Sequence, residues 1–226
     1  MVHSKHLTIM FVDLVEYTQR TTQLKREEFN RLHDTFDRLT KPVLHQHQGT
    51  IIKKIGDAFL VTFESPTNAV LCGMKLQERF EEYNEQQHKQ QEENEKKPLQ
   101  IRVALDSGEV LIRDNDVYGD PVNIAARVEG ITEPGEVYFT EAVYRSINKN
   151  EISAIDLGSH ELKGVSEPVN IYRVRWHRDA WEHYKTLALE IAMSVILVIL
   201  AIYFFKLLFS NTIVMKGISA WLEKVF

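Results

Sequence analysis

Two aspartates stand where strands run out. Asp13 ends LTIMFVD, whose nearly unbroken apolar run suits a buried strand, and Asp57 lies in the Gly56-Asp57 pair inside TIIKKIGDAFLVTF. Runs of Ile, Val, Phe and Thr on either side of Gly-Asp predict a β-hairpin with the carboxylate at its tight turn. Aspartate is also a common turn residue for local hydrogen bonding, so Asp57 alone decides nothing. Two carboxylates at strand ends, with Lys53 and Lys54 beside one of them, are the donor types of a paired-metal nucleotide site. Asn123 and Arg127 are four residues apart in a predicted helix and share a face, which by itself is an ordinary polar surface. Taken singly, Arg102 is a charge at a strand edge and Lys163 a surface lysine.

The elements that must carry these residues follow from periodicity. A helix is expected over 22–48, with Phe29, Leu32, Phe36, Leu39 and Val43 on one face and Gly49 as its stop. Pro42 either kinks it or marks an earlier end. Ser65-Pro66 supplies an N-cap and a first-turn proline for a second helix that turns Ala69, Gly73, Leu76 and Phe80 inward. Beyond Phe80 the apolar face ends, and 81–97, almost wholly Glu, Gln, Lys and Asn, reads as a solvated helical extension or a loop. A strand at 101–105, a turn at Ser107-Gly108 and a return at 109–112 predict a second hairpin. Asp120-Pro121 is expected to cap a short helix ending near Gly130. A strand at 137–140, a short helix around 142–147 and closing strands within LGSHELKGVSEPVNIYRV complete the alternation. The pattern is that of an α/β fold with helices packed on a mixed sheet.

With 226 residues the chain has room for one domain with its own core and an appendage. A net charge of -5 argues against a nucleic-acid-binding surface. The single cysteine, Cys72, excludes an intrachain disulfide framework and is expected to be a small buried side chain, in keeping with a reducing cytosol. MVHSKHL lacks a basic region followed by an apolar core, so no signal peptide is expected. The end of the chain is of different composition. LALEIAMSVILVILAIYFF carries one charge, Glu190, and predicts a transmembrane helix over 187–209. Arg173, Arg175, Arg178 and Lys185 precede it, against Lys206, Lys216 and Lys224 after it, which favours a cytoplasmic N-terminal domain. Residues 177–186 read as a juxtamembrane linker, with Trp176 and Trp181 at headgroup level. The tail 210–226 reads as an amphipathic or unstructured end.

Five segments, FVDLVEYT, KKIGDAFLVTF, IRVALDSGEV, DVYGDPVNIAARVEG and ELKGVSEPVNIYRV, resemble in order and spacing the class III adenylate/guanylate cyclase catalytic domain, over about 7–174. The resemblance implies a ferredoxin-like domain, here 1–176, working as a head-to-tail homodimer with two active sites between subunits. It implies that Asp13 and Asp57 hold two Mg²⁺ or Mn²⁺ ions per site and that Arg102 of the same subunit touches the triphosphate. The second copy would add Lys53 and Asp116 to read the base, Asn123 and Arg127 to hold the ribose and reacting phosphate, and Lys163 for the terminal phosphates. The implied reaction turns ATP into 3′,5′-cyclic AMP and pyrophosphate.

The base-reading pair favours ATP. Adenine presents an acceptor at N1 beside an amine donor, which a lysine donor and an aspartate acceptor complement; guanine leaves both wrongly matched. Cytosine shows the same order as adenine, so CTP is not excluded by this pair. Lys54 is expected on the opposite face of its strand, exposed to solvent. Three residues depart from the family pattern. Glu16 stands where glycine is usual, close to the triphosphate, and Ala104 and Asp106 replace a glycine and a histidine at positions without a direct role. The rival readings are a cyclase for CTP or GTP and a non-catalytic nucleotide-binding or dimerisation module. The expected location is the cell membrane, single-pass, with the catalytic domain on the cytoplasmic side.

Overall fold

Eight strands make one sheet: β1 His3–Leu14, β2 Thr50–Ile55, β3 Ala58–Phe63, β4 Ile101–Arg113, β5 Asp116–Tyr118, β6 Val137–Thr140, β7 Ala154–His160 and β8 Val169–Val174. Among the described residues, four helices pack with them: α1 Arg26–Gln46, α2 Pro66–Gln90, α3 Asp120–Ile131 and α4 Glu141–Ser146. The structure is a computed structural model that describes residues 2–15, 26–90, 98–176, 191–206 and 220–225. It divides into two units, Met1–Arg175 and Trp176–Phe226.

In the first unit the strand order is β2-β3-β1-β4-β6-β8-β7, with β5 paired to β4. The β1-α1-β2-β3-α2-β4 portion is antiparallel in the order β2-β3-β1-β4, the ferredoxin-like arrangement, and the parallel β4–β6 pair makes the sheet mixed. The expected α/β fold is therefore the one observed. β1 and β4 lie at the centre, and Ile9, Met10, Val12, Ile101, Val103 and Leu105 are buried, as strands covered on both faces require. On one side Leu7, Ile9, Phe11, Leu60, Val110 and Val117 pack with Ala125 of α3. Phe36 of α1 meets Phe59 of β3 and Phe80 of α2 at ring separations of 5.2 and 6.1 Å. Each such buried side chain contributes about 1.5–3 kcal/mol.

Local signals act mostly as expected. Ser65 Oγ accepts from the Asn68 backbone N–H at 3.2 Å, the N-cap bond of α2. Pro42 is accommodated inside α1, which continues to Gln46, and α2 continues past Phe80 to Gln90 as a solvated extension. Residues 91–97 lie outside the described residues.

The second hairpin is corrected. Ser107-Gly108 is not a turn: β4 runs unbroken beside β1, from Ile101 opposite Leu14 to Ile112 opposite His3. Ser107 instead shares a 2.8 Å hydrogen bond with Thr8 on β1. A Cβ at Gly108 would lie 2.6 Å from the Pro121 ring, so the glycine serves the close approach of α3 to the sheet. The chain reverses later, at Asp114-Asn115, whose φ values of 53° and 58° are those of a tight hairpin turn that Asp and Asn tolerate. The N-cap of α3 is Gly119 rather than Asp120, which lies in the first turn.

In the second unit, 191–206 is helical and exposed, with a further short helix at 220–225. Among the described residues no helix is long and apolar enough to cross a membrane. The remainder of the predicted span 187–209 lies outside them.

Candidate active site

The end of β1 brings Asp13 into register with Ala58 of β3 and with Arg102 of β4. Asp57 immediately precedes Ala58, in a turn where Gly56 adopts a φ of 61°. The central position of β1 leaves Asp13 only 7% exposed. Arg102 offsets that burial, with Nη2 and Nε 2.7 and 2.9 Å from Asp13 Oδ2. Leaving such a carboxylate buried without a partner costs about 3–5 kcal/mol.

A residue that sequence reasoning missed joins this group. Glu129 of α3 places Oε1 2.5 Å from Arg102 Nε, out of line for a hydrogen bond, and that oxygen is otherwise buried without a partner. One guanidinium thus faces three carboxylates. Burial, and next the charge of Asp13, raise Asp57 above the ordinary range, and the same two causes push Glu129 up to about 7. This deficit of positive charge is what a divalent cation would fill, so the donor set at Asp13 and Asp57 fits the implied Mg²⁺ or Mn²⁺. Among the described residues no group of three His, Cys, Asp or Glu is arranged to hold a metal ion. A cation at the two aspartates would take its remaining oxygens from substrate and water.

The second group of predicted residues lies nearer the surface, with Asp116 half-buried and Lys53, Asn123, Arg127 and Lys163 exposed. Lys53 Nζ on β2 donates to Asp116 Oδ2 on β5 at 2.5 Å, and this bond holds Asp116 below the usual carboxylate range. The Val117 backbone N–H donates to the other oxygen at 2.9 Å and fixes the carboxylate's orientation. Asn123 and Arg127 are exposed on α3, and Lys163 is exposed in the β7–β8 connection. Asn123, Asp106 and Gly164, the residue after Lys163, border a cavity of about 550 Å³. Glu129 lies two residues beyond Arg127, about 200° round the helix. The face of α3 that supplies Arg102 with a carboxylate is therefore opposite the face that displays Arg127.

Three other expectations meet the structure here. Lys54 does point away from Lys53, but it is not solvent-exposed: it is half-buried, donates to Asp37 Oδ1 at 2.5 Å and lies 3.2 Å from His33 Nδ1. Its ammonium sits over the Phe36 and Phe59 rings at 5.4 and 5.2 Å, because α1 covers that face of the sheet. Against the cost of burial, Lys41 and Lys54 hold Asp37 below its ordinary range, while burial and then Lys54 lower His33. Asp106 is buried and accepts from Thr140 Oγ1 at 2.5 Å; burial pushes it up to about 6. Cys72 is buried as expected, and burial pushes its thiol up to about 12, which makes it inert. Glu16 lies outside the described residues.

A model of the adenylate and guanylate cyclase catalytic domain matches residues 1–175. The chain belongs to this family. The cyclase domain is 39% identical over 173 residues to the serine/threonine-protein kinase pkn2 of Myxococcus xanthus, covering 76% of this chain and 20% of that protein. It is 30% identical over 165 residues to putative adenylate cyclase 3 of Rhizobium meliloti, covering 73% and 27%. The chain thus spans about a fifth to a quarter of the length of these curated relatives. Among solved structures, the adenylyl cyclase CyaB of P. aeruginosa superposes with a TM-score of 0.70 at 27% identity, over 78% of this chain and 96% of that one. The guanylyl cyclase Cya2 gives 0.66 at 25% identity, over 76% and 92%. Cyclases named for either purine share the fold, so the family alone does not select the base.

Proposed function

We propose that the chain is a membrane-anchored adenylate cyclase that converts ATP to 3′,5′-cyclic AMP and pyrophosphate in a homodimer. The observation that carries the choice of base is the Lys53–Asp116 pair, a donor and an acceptor held side by side at 2.5 Å on an exposed surface. They complement the N1 acceptor and amine of adenine and mismatch guanine.

In the reaction the ribose 3′-oxygen forms a bond to the α-phosphorus, the bond from that phosphorus to the oxygen bridging to the β-phosphate breaks so that pyrophosphate leaves, and the 3′-hydroxyl proton passes to water. Cations bound by Asp13 and Asp57 would supply Lewis acidity for that deprotonation and neutralise the leaving pyrophosphate. Arg127 offers a planar cation to the charge that develops on the transferring phosphoryl group, a contribution of about 4–7 kcal/mol for an arginine in comparable phosphoryl-transfer sites. Asn123 orients the ribose, and Arg102 and Lys163 bind the phosphates.

The reading of two copies per site is supported by the helical spacing of Glu129 and Arg127, which puts them on opposite faces of α3. On this reading the face with Asn123 and Arg127 would serve the aspartates of a second copy rather than those of its own chain. Anchoring is supported by the second unit, where Ile196, Leu197, Val198, Ile199 and Leu200 are each at least half exposed on one helix. Such a surface favours lipid over water. The slight basic excess before it favours a cytoplasmic catalytic domain.

The test is a product assay on the purified chain in detergent with Mn²⁺ and ATP, CTP or GTP in turn. Cyclic AMP from ATP is expected. Cyclic CMP as the main product would favour the CTP reading, for which cytosine's matching edge speaks, and binding of all three without turnover would contradict catalysis.

A further inference from the structure

Asp13 Oδ2 is already claimed. Two nitrogens of Arg102 converge on that single oxygen, at 2.7 and 2.9 Å, so a cation arriving at Asp13 competes with a guanidinium. Arginine cannot yield by losing its proton. It has to transfer to another acceptor, and Glu129 is the other carboxylate that touches it, at 2.5 Å from Nε. The contact is close but misaligned: Glu129 Oε1 is buried and makes no hydrogen bond, while the Glu129 carboxyl also lies within hydrogen-bonding reach of Asp13. A small rotation of the guanidinium away from Asp13 would convert proximity into a bond. Glu129 is well placed to receive it, because the last turn of α3 is fixed by Thr132, whose Oγ1 donates to Val128 O at 2.7 Å and whose N–H donates to Glu129 O at 3.1 Å. Asp13, Asp57 and Glu129 are not arranged as a three-carboxylate metal group, which argues against Glu129 as a direct ligand.

We propose that Glu129 is a positioning residue that takes Arg102 from Asp13 when a divalent cation binds, freeing Asp13 for the cation and holding the guanidinium for the triphosphate. The proposal rests on the reading that Asp13 and Asp57 carry the cation. Its physical content is an exchange of ion pairs within one cluster, so that cation uptake does not leave the half-buried Arg102 unpaired.

A double-mutant cycle separates the roles. Mn²⁺ binding to the nucleotide-free protein is read by electron paramagnetic resonance for the parent chain, Glu129→Gln, Arg102→Met and the double variant, with ATP kinetics in parallel. Glu129→Gln is expected to weaken Mn²⁺ binding about tenfold and to raise KM for ATP more than it lowers kcat. Arg102→Met, which removes the competitor, is expected to tighten Mn²⁺ binding while impairing ATP use. In the Arg102→Met background, Glu129→Gln should change Mn²⁺ affinity by less than about twofold. Glu129→Asp, which keeps the charge, should restore most of the affinity and guards against a packing defect. An equal loss with and without Arg102 would make Glu129 a ligand or a mere field effect and overturn the proposal, as would no loss at all. Mn²⁺ binding that is indifferent to Asp13→Asn and Asp57→Asn would overturn the cation reading itself, a failure distinguishable from the other two.

Discussion

The two halves of the candidate site are built in opposite ways. At the Asp13 end, three carboxylates and one guanidinium are crowded where the central strands run out, and their charges disturb one another. On the other side, Lys53 and Asp116 are already paired in solvent, and Asn123, Arg127 and Lys163 stand exposed. Burial makes the first half a place where charge is short and a cation gains the most. Exposure suits the second to the recognition role proposed for it, since such pairs cost little to maintain and become strong only when another molecule excludes water from them. In the proposed homodimer, one chain would carry the electrophilic half of one site and the binding half of another.

The largest effect expected from breaking this division is on turnover. Asp57→Ala and Arg127→Ala should each lower kcat by about 10²-fold or more while both proteins remain folded by circular dichroism. Only Asp57→Ala should also weaken Mn²⁺ binding. Lys53→Glu should raise KM for ATP about tenfold or more and leave Mn²⁺ affinity within about twofold. Equal losses would place Lys53 with the carboxylates after all.

The halves should also respond oppositely to pH. The Glu129 carboxyl, at about 7 in the folded state against 4.5 ordinarily, keeps a proton that the unfolded chain has lost. Metal-free stability should therefore fall as pH rises from 4.5 to about 7, by on the order of 1–2 kcal/mol, and level off above. Asp116, lowered by Lys53, has the opposite sign: its contribution is complete above its ordinary value and lost as pH falls through the lowered one. Thermal unfolding across pH checks both, with Glu129→Gln flattening the first slope and Asp116→Asn the second. The smallest effect separates two neighbouring lysines. Lys54→Met should cost about 1–2 kcal/mol in urea unfolding, by leaving Asp37 to Lys41 alone, and should not change KM for ATP.

What was legible in the chain was whatever depends on neighbours in sequence. The apolar run before Asp13, the Gly56-Asp57 turn and the Ser65 N-cap are local statements, and each is realised. Ser107-Gly108 looked like a turn for equally local reasons, but β1 offered a partner long enough for β4 to run straight through, and Pro121 needed the space of a glycine. Lys54 looked solvent-exposed until α1 was laid across it. Glu129 gave no signal beyond an acid two residues after Arg127. Its meaning comes from α3 docking beside Arg102, a contact between residues 27 positions apart.

The account stands or falls on whether two copies share a site, and mixing the two inactive variants tests this most directly. Neither Asp57→Ala nor Arg127→Ala is expected to be active alone, yet in the proposed homodimer a random mixture would contain heterodimers with one intact composite site. About a quarter of the parent activity is expected when half the dimers are mixed and each mixed dimer has one working site of two. No recovery, with mixed dimers verified by differential tagging, would contradict the shared site.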